Sequence, residues 1–255
     1  MTTREALRQQ GEAMRARLFG QDADAPDRGE SAPGFRQLMS EAVYAGIWSR
    51  PGLALPDRMV CTLAALVAVQ RLPQLRRHVV AALNIGLEPR TIQEILIQVG
   101  IYAGFSASEE ALEVASAVFA ERGLSIPATA ASDASLDTLS GRGRALLQEL
   151  HGDRGTQGYA SPDNPVTGAL YPLAIQYGYG EIWFRPGLDR RQRVLCAVAG
   201  FTALRLESQL KKFGQAALNV GLSHAEVIEA VIQTAPFSGF APALNALAAL
   251  GDTLR

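Results

Sequence analysis

The chain has few of the residues that most enzyme chemistries need. It contains two cysteines and three histidines in 255 residues. Cys61 and Cys196 stand far apart, His78, His151 and His224 are scattered, and no pair shows the short spacing of a metal site. No histidine stands beside a cysteine or serine in a way that resembles a nucleophilic dyad. Charge of either sign is not in excess: 24 basic residues face 25 acidic ones, for a net charge of −1. There is no basic stripe for nucleic acid and no polybasic or amphipathic tail for a membrane surface. No apolar run reaches the length of a membrane span. The N-terminus MTTREALRQQGEAMRARLFG carries charges throughout and lacks the apolar core of a signal peptide. The expected setting is therefore the cytoplasm, with both thiols reduced and buried. Strand patterns are almost absent as well, which leaves an all-α chain.

What is present is a duplication. Residues 44–112 align with 179–247 without a gap, and more than a third of the aligned positions are identical. The first copy reads YAGIWSRPGL…LRRHVVAALNIGL…YAGF and the second YGEIWFRPGL…LKKFGQAALNVGL…FSGF. The period is too long for a solenoid, so it marks two fused units. We expect a first unit over 1–122, a linker over 123–137 and a second unit over 138–255, each of about six helices. In the first unit, Asp57 is expected to cap a helix to about Gln70, Pro73 to open the next, and Asn84–Gly86 to close it. Pro89 starts the most apolar helix, which Gly104 ends. Asp189, Ser223 with Glu226, and Gly239 repeat the pattern. Each unit begins with an Arg-rich amphipathic helix (4–18, 138–150) and a Gly/Asp-rich stretch. The apolar helices are hydrophobic almost all round, so each should bury itself against the other unit in a pseudo-two-fold pair.

Arg71, Gln74 and His78 are spaced to share one helical face. An imidazole titrates near neutrality and can carry a proton, although a satisfied histidine fits the same spacing. In the second copy Phe213 replaces His78, so that half is expected to be degenerate. The W-x-R-P-G-L turn occurs twice and aims Arg50 and Arg185, with Arg58 and Arg193 eight residues later. A fixed guanidinium suits a carboxylate of a substrate, or one such as Glu94 within the protein. Trp48 and Tyr44 are pocket or core residues. Gln98 and Gln233 are polar positions in apolar helices and require partners.

Taken together, these motifs resemble the carboxymuconolactone decarboxylase family of the alkyl hydroperoxidase D-like superfamily. The resemblance implies two tandem helical domains, ring-like assembly (a trimer of fused pseudo-dimers), and a small-molecule substrate handled without metal or other cofactor. It assigns proton transfer to His78 and anion binding to Arg50 and Arg58. Trp48, Tyr44, Gln74, Arg71, Arg185, Arg193 and Gln98 become substrate-binding candidates. Peroxidase members carry cysteines where this chain has Arg71 and Gln74, and the decarboxylases usually carry a glutamate where it has Gln74. The expectation is a cofactor-independent decarboxylase or related lyase, cyclase or isomerase. It would act on a small carboxylated or enolisable cyclic compound, in a specialised biosynthetic pathway. The alternatives are 4-carboxymuconolactone decarboxylation itself and a non-catalytic binding or assembly protein.

Overall fold

The computed structural model describes residues 3–20, 32–126, 132–152 and 164–253. Most of the two Gly/Asp-rich stretches and the middle of the linker lie outside the described residues. Among those described there is no strand, and twelve α-helices divide six and six. The first unit comprises α1 (Arg4–Phe19), α2 (Phe35–Leu38, continuing as a π-helix over Met39–Trp48), α3 (Leu55–Ala68), α4 (Leu72–Asn84), α5 (Pro89–Ala103) and α6 (Phe105–Glu121). The second repeats them as α7 (Leu136–His151), α8 (Tyr171–Leu173, continuing as a π-helix over Ala174–Glu181), α9 (Arg190–Leu204), α10 (Glu207–Asn219), α11 (His224–Ser238) and α12 (Phe240–Leu250). No helix is long and apolar enough to cross a membrane.

Local chemistry sets these boundaries. Asp189 and Ser223 each make a full capping box, with Gln192 and Glu226. Gly86, at φ +91°, takes the left-handed conformation after α4. Asp57 does not cap α3: the helix starts earlier, at Leu55 behind Ala54 with Pro56 in its first turn, and Asp57 lies inside that turn. Proline has the fixed φ and missing N–H that a first turn tolerates, which moves the start upstream. The second amphipathic helix likewise starts before the expected residue 138, because Ser135 caps it at Thr138 N.

α3 and α9 pack on each other along the pseudo-two-fold axis, and α11 crosses onto α3 as α5 does onto α9. This is the mutual burial the apolar helices call for. Cys61 and Cys196 are fully buried free thiols on α3 and α9. Burial pushes both up, Cys196 to about 12. Close approach of α1 to the first π-helix and of α7 to the second depends on glycine. A Cβ on Gly11 would overlap the Ser40 carbonyl oxygen, and one on Gly143 the Ile175 carbonyl oxygen. Ser40 and Ile175 are equivalent positions, so Gly11 pairs with Gly143 and the last residue of α1, Phe19, with the last residue of α7, His151.

Candidate active site

The N-terminal cavity has a volume of about 270 Å³ and lies between α4 and the first π-helix. Asn84, the asparagine of the AALNIGL motif, donates from Nδ2 to the Leu18 carbonyl oxygen at 3.0 Å. That bond ties the end of α1 to α4 and sets Phe19 edge-on to His78, with ring centroids 5.6 Å apart. The π-helix presents Tyr44 and Trp48 to the cavity. Its i→i+5 ladder continues into Ser49, whose N–H donates to the Tyr44 carbonyl oxygen at 3.0 Å. Trp48 stacks on the imidazole at 6.1 Å and 15°. The remaining wall comes from the other unit: Phe237 on α11 meets the imidazole edge-on at 5.2 Å, next to Pro236.

His78 is 4% exposed, and its Nδ1 lies 2.8 Å from the Gln74 carbonyl oxygen. A carbonyl oxygen only accepts, so Nδ1 carries the hydrogen and Nε2 of the neutral ring is the basic atom. Burial drives the imidazole down to about 4; the Gln74 bond opposes this and Arg77 adds to it. The resting ring is therefore neutral near pH 7. Arg71, Gln74 and Arg77 also line the cavity, so the expected shared face of Arg71, Gln74 and His78 is what the structure shows. The Arg77 guanidinium stands 5.1 Å from the centre of the Phe19 ring.

The W-x-R-P-G-L arginines are elsewhere. Arg50 grips Glu229 with Nε and Nη2 at 2.7–3.0 Å. Arg58, fully buried, donates to Glu229 Oε2 at 2.8 Å, to the Arg50 carbonyl oxygen at 2.8 Å and to Gln233 Oε1 at 3.1 Å. The mirror image is present too. Arg185 binds Glu94 through Nε and Nη2, and Arg193 donates to Gln98 Oε1 at 2.6 Å and to the Arg185 carbonyl oxygen. None of these four arginines lines the cavity of about 270 Å³ or its C-terminal counterpart. The carboxylates they were expected to hold are the protein's own, each on the opposite unit. Burial would raise Glu229, but the bonds from Arg50 and Arg58 prevail and hold it below the usual carboxylate value. Gln98 is fully buried and serves Arg193 and Tyr102. One turn beyond each clamp, α11 delivers Phe237 to the N-terminal cavity and α5 delivers Tyr102 to the C-terminal one. The clamps thus hold the helices that supply the cavity walls.

The C-terminal half keeps a cavity, and a larger one, of about 500 Å³. Phe213 does occupy the place of His78, but the cavity retains an imidazole. His151 lines it, standing edge-on to Phe213 with centroids 5.0 Å apart. Histidine and phenylalanine have exchanged places across the cavity: Phe19 and His78 in one half, His151 and Phe213 in the other. The half expected to be degenerate thus still holds an imidazole at its cavity. His151 is the last residue of the sixteen-residue helix α7. Burial, then Lys212, lowers it to about 4. A signal was available, since the opening helices of the two units align at their own offset, shorter by three residues than that of the cores. Among the described residues, no group of three or more His, Cys, Asp or Glu side chains is placed to hold a metal ion.

Comparison with known proteins agrees with this fold. The family model described as "Carboxymuconolactone decarboxylase family" matches twice, over residues 33–117 and 169–252. A 4-carboxymuconolactone decarboxylase of Acinetobacter baylyi is 34% identical over 90 residues, which are 35% of this chain and 67% of that protein. The nitrosuccinic acid decarboxylase npaB of Metarhizium robertsii is 27% identical over 128 residues, 49% of this chain and 90% of the relative. An uncharacterized 15.0 kDa protein of Paracoccus denitrificans is 35% identical over 85 residues, 32% of this chain and 63% of the relative. The double match covers both cores and leaves the linker out: this chain belongs to the carboxymuconolactone decarboxylase family and carries the family's unit in tandem.

Proposed function

We propose that the chain is a decarboxylase of small carboxylated substrates that form a stabilised carbanion on losing CO2, working at the His78 cavity without a cofactor. The observation that carries this reading is a neutral imidazole of fixed tautomer, packed between Trp48 and Phe237 in a small cavity with Arg71 and Arg77 at its edge. The names of two relatives, each a decarboxylase, support the reaction class.

The chemistry follows from the charges. A substrate carboxylate held by Arg71 and Arg77 places negative charge near the ring, and an anion raises the proton affinity of a buried imidazole. His78 then takes up a proton at Nε2 as the substrate binds. When the C–CO2⁻ bond breaks, the electron pair moves into the neighbouring carbonyl or nitro group. Nε2–H delivers its proton to the carbon, giving CO2 and the protonated product, with one proton drawn from water per turnover. Gln74 differs from the glutamate usual in the family's decarboxylases and supplies its backbone carbonyl to orient the ring. Its side chain offers no second carboxylate to take up a proton.

The test is CO2 release from two compounds, 4-carboxymuconolactone and nitrosuccinate. We expect turnover of at least one, with Arg71→Ala raising KM at least tenfold, as loss of a charge-assisted contact implies. No CO2 from either compound, together with no binding of either, would remove the reading.

A further inference from the structure

The two cavities differ by a coordinated set of exchanges that makes the C-terminal one a different kind of site. Met39 and Val43 of the N-terminal half correspond to the smaller Ala174 and Gly178. Arg71 corresponds to Leu206, so one rim cation is replaced by an apolar side chain, while Lys212 stands in the place of Arg77. The clearest exchange involves hydrogen bonding. In one half, Gln233 Nε2 donates to Thr62 Oγ1 at 3.1 Å, and the ring reaching the cavity is Phe237. In the other half Thr62 is matched by Ala197, which cannot accept. There Gln98 Nε2 donates instead to the Tyr102 hydroxyl at 2.9 Å.

That bond determines where the Tyr102 proton goes. A guanidinium only donates, so the Gln98 atom 2.6 Å from Arg193 Nη1 is the amide oxygen, and the amide NH2 faces Tyr102. The phenol oxygen is therefore an acceptor, and its O–H makes no hydrogen bond to any other described residue. Tyr102 lines the cavity, and burial holds its pKa well above 10, so near neutrality it is a permanent donor. Tyr102 and His151 both pack on the Phe213 ring, at centroid distances of 6.2 and 5.0 Å. A neutral imidazole always retains one acceptor nitrogen. The cavity thus sets a fixed donor and an acceptor among Leu, Ile, Val and Phe side chains, with Thr, Tyr, Gln and Lys side chains completing its lining.

We infer that the C-terminal cavity is a second ligand site, chemically separate from the His78 site. It takes a flat, mostly apolar ring compound through an enol or phenol hydroxyl, which accepts from Tyr102 O–H and donates to His151. The ligand is larger and less anionic than the one the N-terminal cavity suits. A hydroxyl that both accepts and donates satisfies both groups, whereas an apolar ring alone would leave them unmatched. This inference does not depend on decarboxylation at His78, because binding is read without turnover.

The probe is 2-naphthol, whose fluorescence reports its environment and its protonation. We expect saturable binding, weakened about tenfold by Tyr102→Phe and by His151→Phe, in line with one lost hydrogen bond each. Ala174→Met combined with Gly178→Val should abolish it by filling the cavity. Each replacement installs the residue found at the equivalent place in the N-terminal half, and the nearest atom to a Cβ at Gly178 is at an ordinary 3.4 Å. The variants should therefore fold, as circular dichroism and Tm will show. His78→Gln should leave the affinity unchanged. Absence of saturable binding, insensitivity to Tyr102→Phe or to the filling pair, or loss of binding in His78→Gln would each overturn the inference.

Discussion

His78→Gln is expected to lower kcat for decarboxylation by about 10²–10⁴, the usual contribution of a positioned proton-transfer group. The substitution keeps a polar side chain of similar reach but removes the titratable nitrogen. KM should rise as well, because an anion that drives protonation of the ring is in turn held more tightly by it. The same residue also governs acid stability, with the opposite sign. Its folded-state pKa of about 4 lies below the ordinary 6.5, so the unfolded chain binds more protons between those values. Stability is complete above about pH 6.5 and is lost as the pH falls toward 4. For His78 the full loss is about 3 kcal/mol. His78→Phe, which copies Phe213, should remove the His78 share of this slope in the Tm-against-pH curve, leaving that of His151, while eliminating turnover. Thermal melts at pH 7 and pH 5 and a CO2-release assay measure both effects. A His78 variant that keeps full activity would refute the mechanism.

Glu229→Ala should be the most damaging single substitution outside the cavities. It removes the carboxylate from two arginines, one of them fully buried, and leaves Arg58 with only neutral acceptors. Breaking such a pair from one side costs about 3–5 kcal/mol. In a chain of this size that corresponds to a fall in Tm of roughly 6–15 °C. The effect on function should be asymmetric. Glu229 lies on α11, which carries Phe237 into the His78 cavity, so the decarboxylation rate falls along with stability. Glu94→Ala damages the mirror clamp on α5, so its functional effect should fall on the cavity containing Tyr102 and His151. Equal losses at both cavities in either variant would show that the clamps only hold the units together.

The sequence carried the duplication, the helix order and the shared face of Arg71, Gln74 and His78, because caps, glycines and periodicity are local signals. Where the reading failed, the deciding partner was distant. The turn that aims Arg50 correctly implied bidentate carboxylate binding. The carboxylate is Glu229, however, 179 residues away on the other unit, and nothing near Arg50 identifies it. His151 was missed because a proton-carrying imidazole was sought only at the position of His78 on α4 and its equivalent on α10, whereas His151 reaches the cavity from the end of α7. The π-helices were missed for a related reason: a five-residue ladder over Met39–Trp48 leaves no distinct apolar period, and its stability depends on packing against Gly11 and its neighbours.

The central claim is that His78 rests as a neutral imidazole with its hydrogen on Nδ1 and becomes protonated when an anion enters the cavity. Nitrogen-15 NMR of the histidine rings, with and without succinate as an inert dicarboxylate, measures tautomer and charge directly. The account predicts an Nδ1–H signal at pH 7, no protonation above about pH 5, and a shift to the imidazolium form when succinate saturates the cavity. A His78 ring that titrates near 6.5 and does not respond to the anion would contradict it.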